Sequence, residues 1–597
     1  MNEIKQKADY LFEVSWEVCN KVGGISTVIK SKAAHLIKYY GEKYFTIGPY
    51  FIKKVTGEFQ EEIPTDELKS VFDKLKEKGI ICHYGKWLIG GEPNTILIDF
   101  TGYVNSINDV KKELWDKYKI DSIGSEYYEF DEPMIWSHAA GMLIDELSKV
   151  FKGKCVGHFH EWLAGPGLLY LKNSNVGTVF TTHATVLGRT IASDENIDLY
   201  SNLDKINPDD EAYKYKVHTK YQTEKAAAQN ADVFTTVSEI TAIEAGSLLK
   251  RNPDVLLPNG LNLDKFPTME DISIKHQKYK NKIKEFLLYY FFPYQVFEID
   301  NTYIFFIAGR YEFHDKGIDV LIKALGKLNE KLKQEKINKT VVAFFWIPGN
   351  IRGIKSELLS NRRHFNDVRD TIDDSLPDIR NELIHAIVSN QKIDEKKLLD
   401  QDILEDVKRK IMRLKKEGKP SLATHDLYEE NSDAILNAFK QHNLNNEESD
   451  KVKVIFYSIY LTGADGLLDT SYYESMLGSQ LGIFPSYYEP WGYTPLEAGA
   501  LGVASVTTDL AGFGRFISKK IKKDDLPGIY VLNRLNKSED ETAEDLNKIM
   551  YDYVHFTKDQ RVRNKIKAKK IASLADWKNF VQFYIKAHNK AVDKKWS

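Results

Sequence analysis

Cysteine is nearly absent. Cys19, Cys82 and Cys155 are the only three in 597 residues. They lie too far apart for a disulfide framework or a thiolate metal cluster, and an odd, sparse set suits a reducing compartment. Long apolar runs are missing too: no stretch reaches the ~18 residues that a spanning helix needs. The N-terminal segment MNEIKQKADYLFEV carries charges where a secretory signal requires an apolar core. A cytoplasmic protein with no membrane partner is expected by elimination. Net charge is also scarce, only −3 over the whole chain, so no basic domain marks a nucleic-acid binder. Internal repeats and low-complexity tracts are lacking.

Apolar and aromatic residues are plentiful, at 42% and 12% of the chain. That is enough for large ordered cores, and the length calls for at least two of them. The dominant rhythm is a short apolar strand, a glycine-bearing turn and an amphipathic helix. It opens with a strand at Tyr10–Val18, a turn at Lys21–Ile25 and a helix at Ser26–Tyr39. Further strands are expected at Lys154–Phe159, Val176–Thr181, Val233–Val237, Ile304–Ala308 and Val341–Ile347. Others fall at Val452–Tyr457, Gly482–Pro485, Ala504–Thr507 and Gly528–Leu532. Strands alternating with helices imply parallel sheets covered on both faces, here two α/β lobes around a cleft. The Pro- and Gly-containing segment Leu257–Phe266 is the expected boundary. From about Gly349 to Asn446 the chain turns lysine- and acid-rich, with a helical period at Lys396–Lys416. Periodicity does not separate a solvated excursion from an assembly surface there.

Four constellations carry chemistry. Lys21-Val22-Gly23-Gly24 lies between a strand and a helix, where glycines admit a diphosphate to helix-end N–H groups and Lys21 adds charge. By itself such a turn is equally a structural one. His158, His160 and Glu161, then His183 and Arg189, fall at the carboxyl ends of two successive strands, where open α/β sheets receive ligands. A metal site competes as a reading, but no carboxylate stands at helical ligand spacing. A strand ending in Gly309-Arg310, followed by Lys316-Gly317, supplies a guanidinium fork and a point charge for a leaving diphosphate. The densest element is Ser486–Glu497 (SYYEPWGYTPLE). There Thr494-Pro495-Leu496-Glu497 has the form of a capping box, whereas Glu489 has no structural role to explain it.

These elements together resemble a glycosyltransferase of the GT-B architecture, and in wording glycosyltransferase family 3, the animal and fungal glycogen synthases. The stretches HFHEWLAG, FTTHATVLGR, EKAAAQNADVFTTVSEITA, LPNGLN, FFIAGRYEFHDKG and FPSYYEPWGYTPLEAGALGV carry the likeness, which spans nearly the whole chain. The resemblance implies two Rossmann-like domains with parallel sheets facing a cleft, residues 1–266 and 267–574. It adds a helical insertion at about 349–446 and a C-terminal helix, 575–597, returning to the first domain. It implies a retaining glucosyltransferase that elongates glycogen or another α-1,4-glucan from UDP-glucose as a homotetramer, with no metal or other cofactor.

Residue by residue, the resemblance makes Glu489 the catalytic carboxylate. Arg310 and Lys316 neutralise the diphosphate with help from Lys21, which replaces a family arginine, and His183 and Arg189 line the glucose pocket. Gly23, Gly24, Trp491, Gly492, Tyr493 and Thr494 belong to the donor site, Tyr472 stacks on uracil, and Glu497 holds the ribose. His160 and Glu161 fall on the acceptor side. His276, Lys280, Arg561 and Lys565 match an allosteric sugar-phosphate site. In the helix Lys558–Lys570 most arginines of that site are lysines, Asp559 intrudes, and Gln480 replaces a histidine. Weak activation by glucose 6-phosphate is the expectation. Two other functions stay open at this point: a related transferase making a disaccharide, and a glucan-binding scaffold without catalysis.

Overall fold

The computed structural model describes residues 4–335, 337–393, 401–521 and 526–597, and two sheets account for the strand–turn–helix rhythm. The first has nine strands in the order β3-β4-β5-β2-β1-β6-β7-β8-β9. Its strands are β1 Tyr10–Val14, β2 Tyr44–Pro49, β3 Phe59–Glu61, β4 Ile81–Trp87, β5 Asn94–Asp99, β6 Cys155–His160, β7 Val176–Thr182, β8 Val233–Thr236 and β9 Val255–Leu256. From β5 to β9 every pairing is parallel, and β3 and β4 close one edge antiparallel.

The second sheet is parallel throughout, ordered β14-β11-β10-β15-β16-β17. It comprises β10 Thr302–Ala308, β11 Thr340–Trp346, β14 Val452–Tyr457, β15 Leu481–Ile483, β16 Ala504–Thr508 and β17 Ile529–Leu532. Strands such as β7 and β11 are buried at every position, as helices on both faces of a sheet require. Each expected strand is present. The first is shorter than expected: it stops at Val14, and the chain then turns through Cys19 at a positive φ of 51°. Central strands β2 and β5 escaped the sequence reading, because Gly48-Pro49 ends one like a loop and β5 follows a Gly-Gly-Glu-Pro turn.

The insertion stands on a two-stranded antiparallel ribbon, β12 Ile351–Ile354 with β13 His425–Leu427. Its helices Ser356–Val388 and Gln401–Leu414 pack on each other. Of the expected helix Lys396–Lys416, residues 396–400 lie outside the described residues, and the described part ends at Leu414.

A third core joins the lobes. The helix Trp577–Trp596 lays Trp577, Phe580 and Tyr584 against Tyr40, Val156 and Val179 of the first lobe and Trp491, Leu496 and Phe513 of the second. Burying such side chains stabilises by ~1.5–3 kcal/mol each. The same helix ties down the N-terminus, since Gln582 accepts from the Ile4 N–H and Asn589 from the Lys7 N–H, both at 2.7 Å.

Candidate active site

The first wall of the cleft is built at the carboxyl ends of β1, β6 and β7. After β1 the chain loops through Glu17, whose carboxylate accepts from the N–H groups of Gly23 (2.8 Å) and Ser26 (3.0 Å). The start of the helix Gly24–Tyr40 is thus already occupied by an internal anion that sequence reasoning missed. A Cβ on Gly23 would meet Glu17 Oε1 at 3.0 Å, whereas Gly24 faces open space. Lys21 and both glycines are exposed.

β6 is followed by Glu161, held at a φ of 65° so that its carboxylate turns back to accept from the N–H groups of His183 (2.8 Å) and Ala184 (3.2 Å). Burial pushes Glu161 up, against the pull of Arg189. Arg189 is solvent-accessible, on the helix Val186–Ala192 that Thr185 caps. Desolvation is outweighed there by Tyr488, Glu161, Glu312 and Glu489, which hold it charged. The expectation put His160 and Glu161 on the acceptor side. His160 is in fact 1% exposed, behind His183, and Glu161 gives one oxygen, Oε1, to backbone N–H groups. Buried His160 is out of a glucan's reach, whereas half-buried Glu161 keeps Oε2 uncommitted among the described residues.

The opposite wall rises from β10 and β15. Gly317 sits at a φ of 67° with the Pro485 carbonyl 2.0 Å from where a Cβ would lie, so only glycine fits. That turn brings the Lys316 ammonium to 2.6 Å from Glu489 Oε2. Arg310 is exposed and pairs with Glu312 at 2.9 Å. Gly492, at a φ of 103°, lies against the Glu489 side chain and starts the helix Tyr493–Ala500. This early start overturns the capping box: Thr494 lies inside the first turn and caps nothing. Glu497 instead accepts from the hydroxyls of Tyr473 (2.8 Å) and Tyr472 (3.2 Å), and burial pushes its carboxyl up to about 7. Trp491 is a second correction. It is 4% exposed and packs on Phe513, Phe516 and Phe580, a core residue whose ring does not face the cleft.

The two walls are latched. Ser193 donates to Asp315 (2.8 Å), the Tyr487 hydroxyl bridges the Leu199 N–H and Asp198, and the Tyr488 hydroxyl donates to buried Glu244 (3.0 Å). Beside the glycine loop a groove of 730 Å³ opens, lined by Trp16, Asn20, Tyr50, Phe51, Lys54 and Glu132, with Tyr128 standing 81% exposed on its rim. Aromatic faces interleaved with polar groups suit a sugar polymer; β2, which carries Tyr50 and Phe51 at its end, was the strand the sequence hid.

Among the described residues, two clusters could offer three metal ligands each, Glu13/His158/His160 and His314/Asp319/Glu539. In the first, every ligand atom already has a partner: Lys32, Tyr44, Thr181, His183 or His588.

Away from the cleft, the helices Met269–Phe291 and Lys558–Ala572 bring His276, Lys280, Arg561 and Lys565 together, as the resemblance expects. None of the four forms an ion pair with a carboxylate among the described residues. Burial, then Lys280 and Arg561, push Lys565 down to about 7, and burial, then Lys565, push His276 down to about 3. His276 Nδ1 donates to the Leu477 carbonyl (2.6 Å). Gln480 pairs with the backbone of Ile304 and takes no part.

The family model described as "Glycogen synthase" matches residues 13–597. The chain is 36% identical over 588 residues to the liver glycogen [starch] synthase of Rattus norvegicus, covering 98% of this chain and 83% of that protein. It is 37% identical over 594 residues to the glycogen [starch] synthase of Neurospora crassa, covering 98% and 84%. Among solved structures it is similar to the catalytic domain of starch synthase IV from Arabidopsis thaliana bound to ADP and acarbose. That match has a TM-score of 0.52 at 13% identity over 98% of this chain and 100% of that one. At that identity the likeness carries the fold, which is GT-B.

Proposed function

The chain belongs to the glycogen synthase family, and from that premise we infer how its cleft works. The enzyme is a glucosyltransferase that elongates glycogen. UDP-glucose is the donor: its uracil meets Tyr472, its ribose Glu497, and its diphosphate lies between Lys21 and the Arg310–Lys316 pair. The glucosyl group faces His183, Arg189 and Glu489. The bond from glucosyl C1 to the UDP oxygen breaks, the terminal 4-hydroxyl of the glucan attacks from the same face, and its proton leaves to the departing phosphate. The α configuration is retained.

One contact carries this reading, the 2.6 Å pair between Lys316 and Glu489. It puts the cation meant for the leaving diphosphate and the carboxylate meant for the glucosyl cation on one point. When diphosphate takes Lys316, Glu489 is left to face the positive charge developing at C1, where a fixed carboxylate is most effective. Fixed cations do the work a metal would do elsewhere, so full activity is expected in EDTA. Incubation with UDP-[14C]glucose and glycogen tests both points. Ethanol-precipitable label that survives EDTA is expected. A soluble disaccharide, or strict dependence on a divalent cation, overturns the reading.

The groove beside the glycine loop is our acceptor channel. Leu376, Ile384, Ile387 and Val388 on one inserted helix, and Met412 on the other, are exposed at 50, 53, 67, 81 and 77%. Unburied apolar side chains in this number suit subunit contacts, and a homotetramer is the assembly we expect; a monodisperse monomer by light scattering at micromolar concentration contradicts it. The three free thiols suit the cytoplasm, and no helix among the described residues is long and apolar enough to cross a membrane. The cluster of His276, Lys280, Arg561 and Lys565 would take the phosphate of glucose 6-phosphate.

A further inference from the structure

Behind the glucose pocket runs a line of buried charge that the reaction as described leaves unused. Glu13, one residue from the carboxyl end of β1, is fully buried. Its carboxylate meets the ammonium of Lys32, itself 1% exposed on the helix Gly24–Tyr40, and accepts from the Tyr44 hydroxyl. The Lys32 ammonium also lies 4.3 Å from the ring centre of Tyr584. Glu13 Oε1 is 2.7 Å from His160 Nε2, and His160 Nδ1 is 3.0 Å from His183 Nε2. A buried ion pair contributes little net stability, because desolvation cancels most of the attraction. Its value here is direction.

Proton bookkeeping along the chain has one solution. Burial pushes the Glu13 carboxyl up, but Lys32 and His160 together hold it well below the ordinary range, so it is ionised and can only accept. His160 Nε2 therefore carries a proton. Burial and the Lys32 charge keep His160 neutral, so its Nδ1 is a lone pair. That lone pair accepts from His183 Nε2–H. His183 is neutral for the same reason, burial first and then its charged neighbours, which leaves its Nδ1 without a proton. Among the described residues Nδ1 has no partner, and His183 keeps 9% of its exposure, with the Arg189 charge close enough to act on it.

We propose that Glu13, acting through His160, is a positioning residue that fixes His183 in the Nε2–H tautomer, so that a bare Nδ1 lone pair accepts a hydrogen bond from a hydroxyl of the bound glucosyl group. An N–H at that point would turn to the sugar's oxygens and repel hydroxyl donors; the relay removes that choice before the donor arrives. The inference rests on His183 lining the glucose pocket.

Neutron diffraction on the deuterium-exchanged full chain reads the relay directly. Deuterium is expected on Nε2 of His160 and of His183 and none on Nδ1 of either; deuterium on His183 Nδ1 overturns the proposal. This readout needs no turnover, so it stands apart from whether the chain makes polymer. A pair of variants adds the kinetic side. Leucine removes the acceptor that His160 offers, whereas the Oδ1 of asparagine can replace Nδ1. His160→Leu should lower kcat by at least about tenfold, the usual scale for a misplaced contact, with UDP affinity within about twofold of the parent. His160→Asn should recover most of that loss. Equal losses in both variants, tracking equal falls in melting temperature, or no loss in His160→Leu, would show that the chain of contacts is only structural.

Discussion

The molecule holds two groups of cations that we assign to phosphate, and they are kept in opposite ways. At the cleft Arg310 lies on Glu312 and Lys316 on Glu489. Between the helices Met269–Phe291 and Lys558–Ala572 the cations face one another, and Lys565 is pushed down to about 7, by burial first and then by Lys280 and Arg561. A paired cation stays charged and ordered while empty, and its ligand must displace the partner. An unpaired cluster is strained while empty, and an anion relieves it. The first arrangement suits a substrate that comes and goes at every turnover. The second suits a ligand whose binding shifts an equilibrium, by no more than its preference for one state.

The sharpest way to break this contrast is at Glu489. Glu489→Gln should cost ~10²–10³ in kcat, while UDP binds as well as before or tighter, because Lys316 no longer has to leave an ionised partner. Near-normal turnover would remove Glu489 from the mechanism. Arg310→Ala comes next: kcat/KM for UDP-glucose should drop by about tenfold or more, the cost of a lost charge-assisted contact of ~1.5–3 kcal/mol, with glycogen affinity unchanged. A matching loss for glycogen would mean that Arg310 holds the acceptor.

The cluster that we assign to glucose 6-phosphate should respond more gently. Lys565 is charged without ligand at pH 6 and largely neutral at pH 8, so calorimetric affinity for glucose 6-phosphate should weaken as pH rises between them. Activation should stay under about tenfold, since lysine lacks arginine's bidentate fork. A flat affinity across that range would mean that Lys565 does not meet the phosphate.

The smallest effect concerns stability. Burial raises Glu244 to about 7 against an ordinary 4.5, with Thr185, Tyr488 and Tyr200 pulling the other way. The folded state then binds more protons than the unfolded one between those values, so this group costs stability as pH rises through 7. Glu244→Gln removes that cost. The difference in melting temperature, variant minus parent, should therefore grow more positive from pH 5 to pH 8; a constant difference would mean that the Glu244 carboxyl is not raised.

Much of the cleft could be read from sequence because strand ends advertise themselves. His183, Arg310 and Glu489 follow apolar runs directly, and parallel sheets put such residues at one rim. Less visible were effects that depend on where a helix begins. Thr494 and Glu497 have capping spacing, but Gly492 in a left-handed conformation starts the helix before them, and nearby tyrosines claim Glu497. Trp491 sits two residues from Glu489 in sequence, yet the returning helix Trp577–Trp596, remote in the chain, buries it. Glu13 and Lys32 did leave a trace. Each is a lone charge at an otherwise buried position, in YLFEV and on the inner face of the helix Gly24–Tyr40, and two such breaks on adjacent elements are the signature of a buried pair.

The helix Trp577–Trp596 also sets an order of events at the ribosome. It covers β6 to β9 and lies beside His158 and His160, yet it is synthesised more than 300 residues after those strands. Until it emerges, Val156, Val179 and Tyr44 lack their apolar cover, and His158 lacks its hydrogen bond to His588 (3.1 Å). The first lobe must therefore wait, partly open, while the second is made, a long-range closure of the kind that slows folding and exposes chains to aggregation. A nascent chain halted before residue 577 holds every side chain that we assign to catalysis and has no finished cleft to put them in.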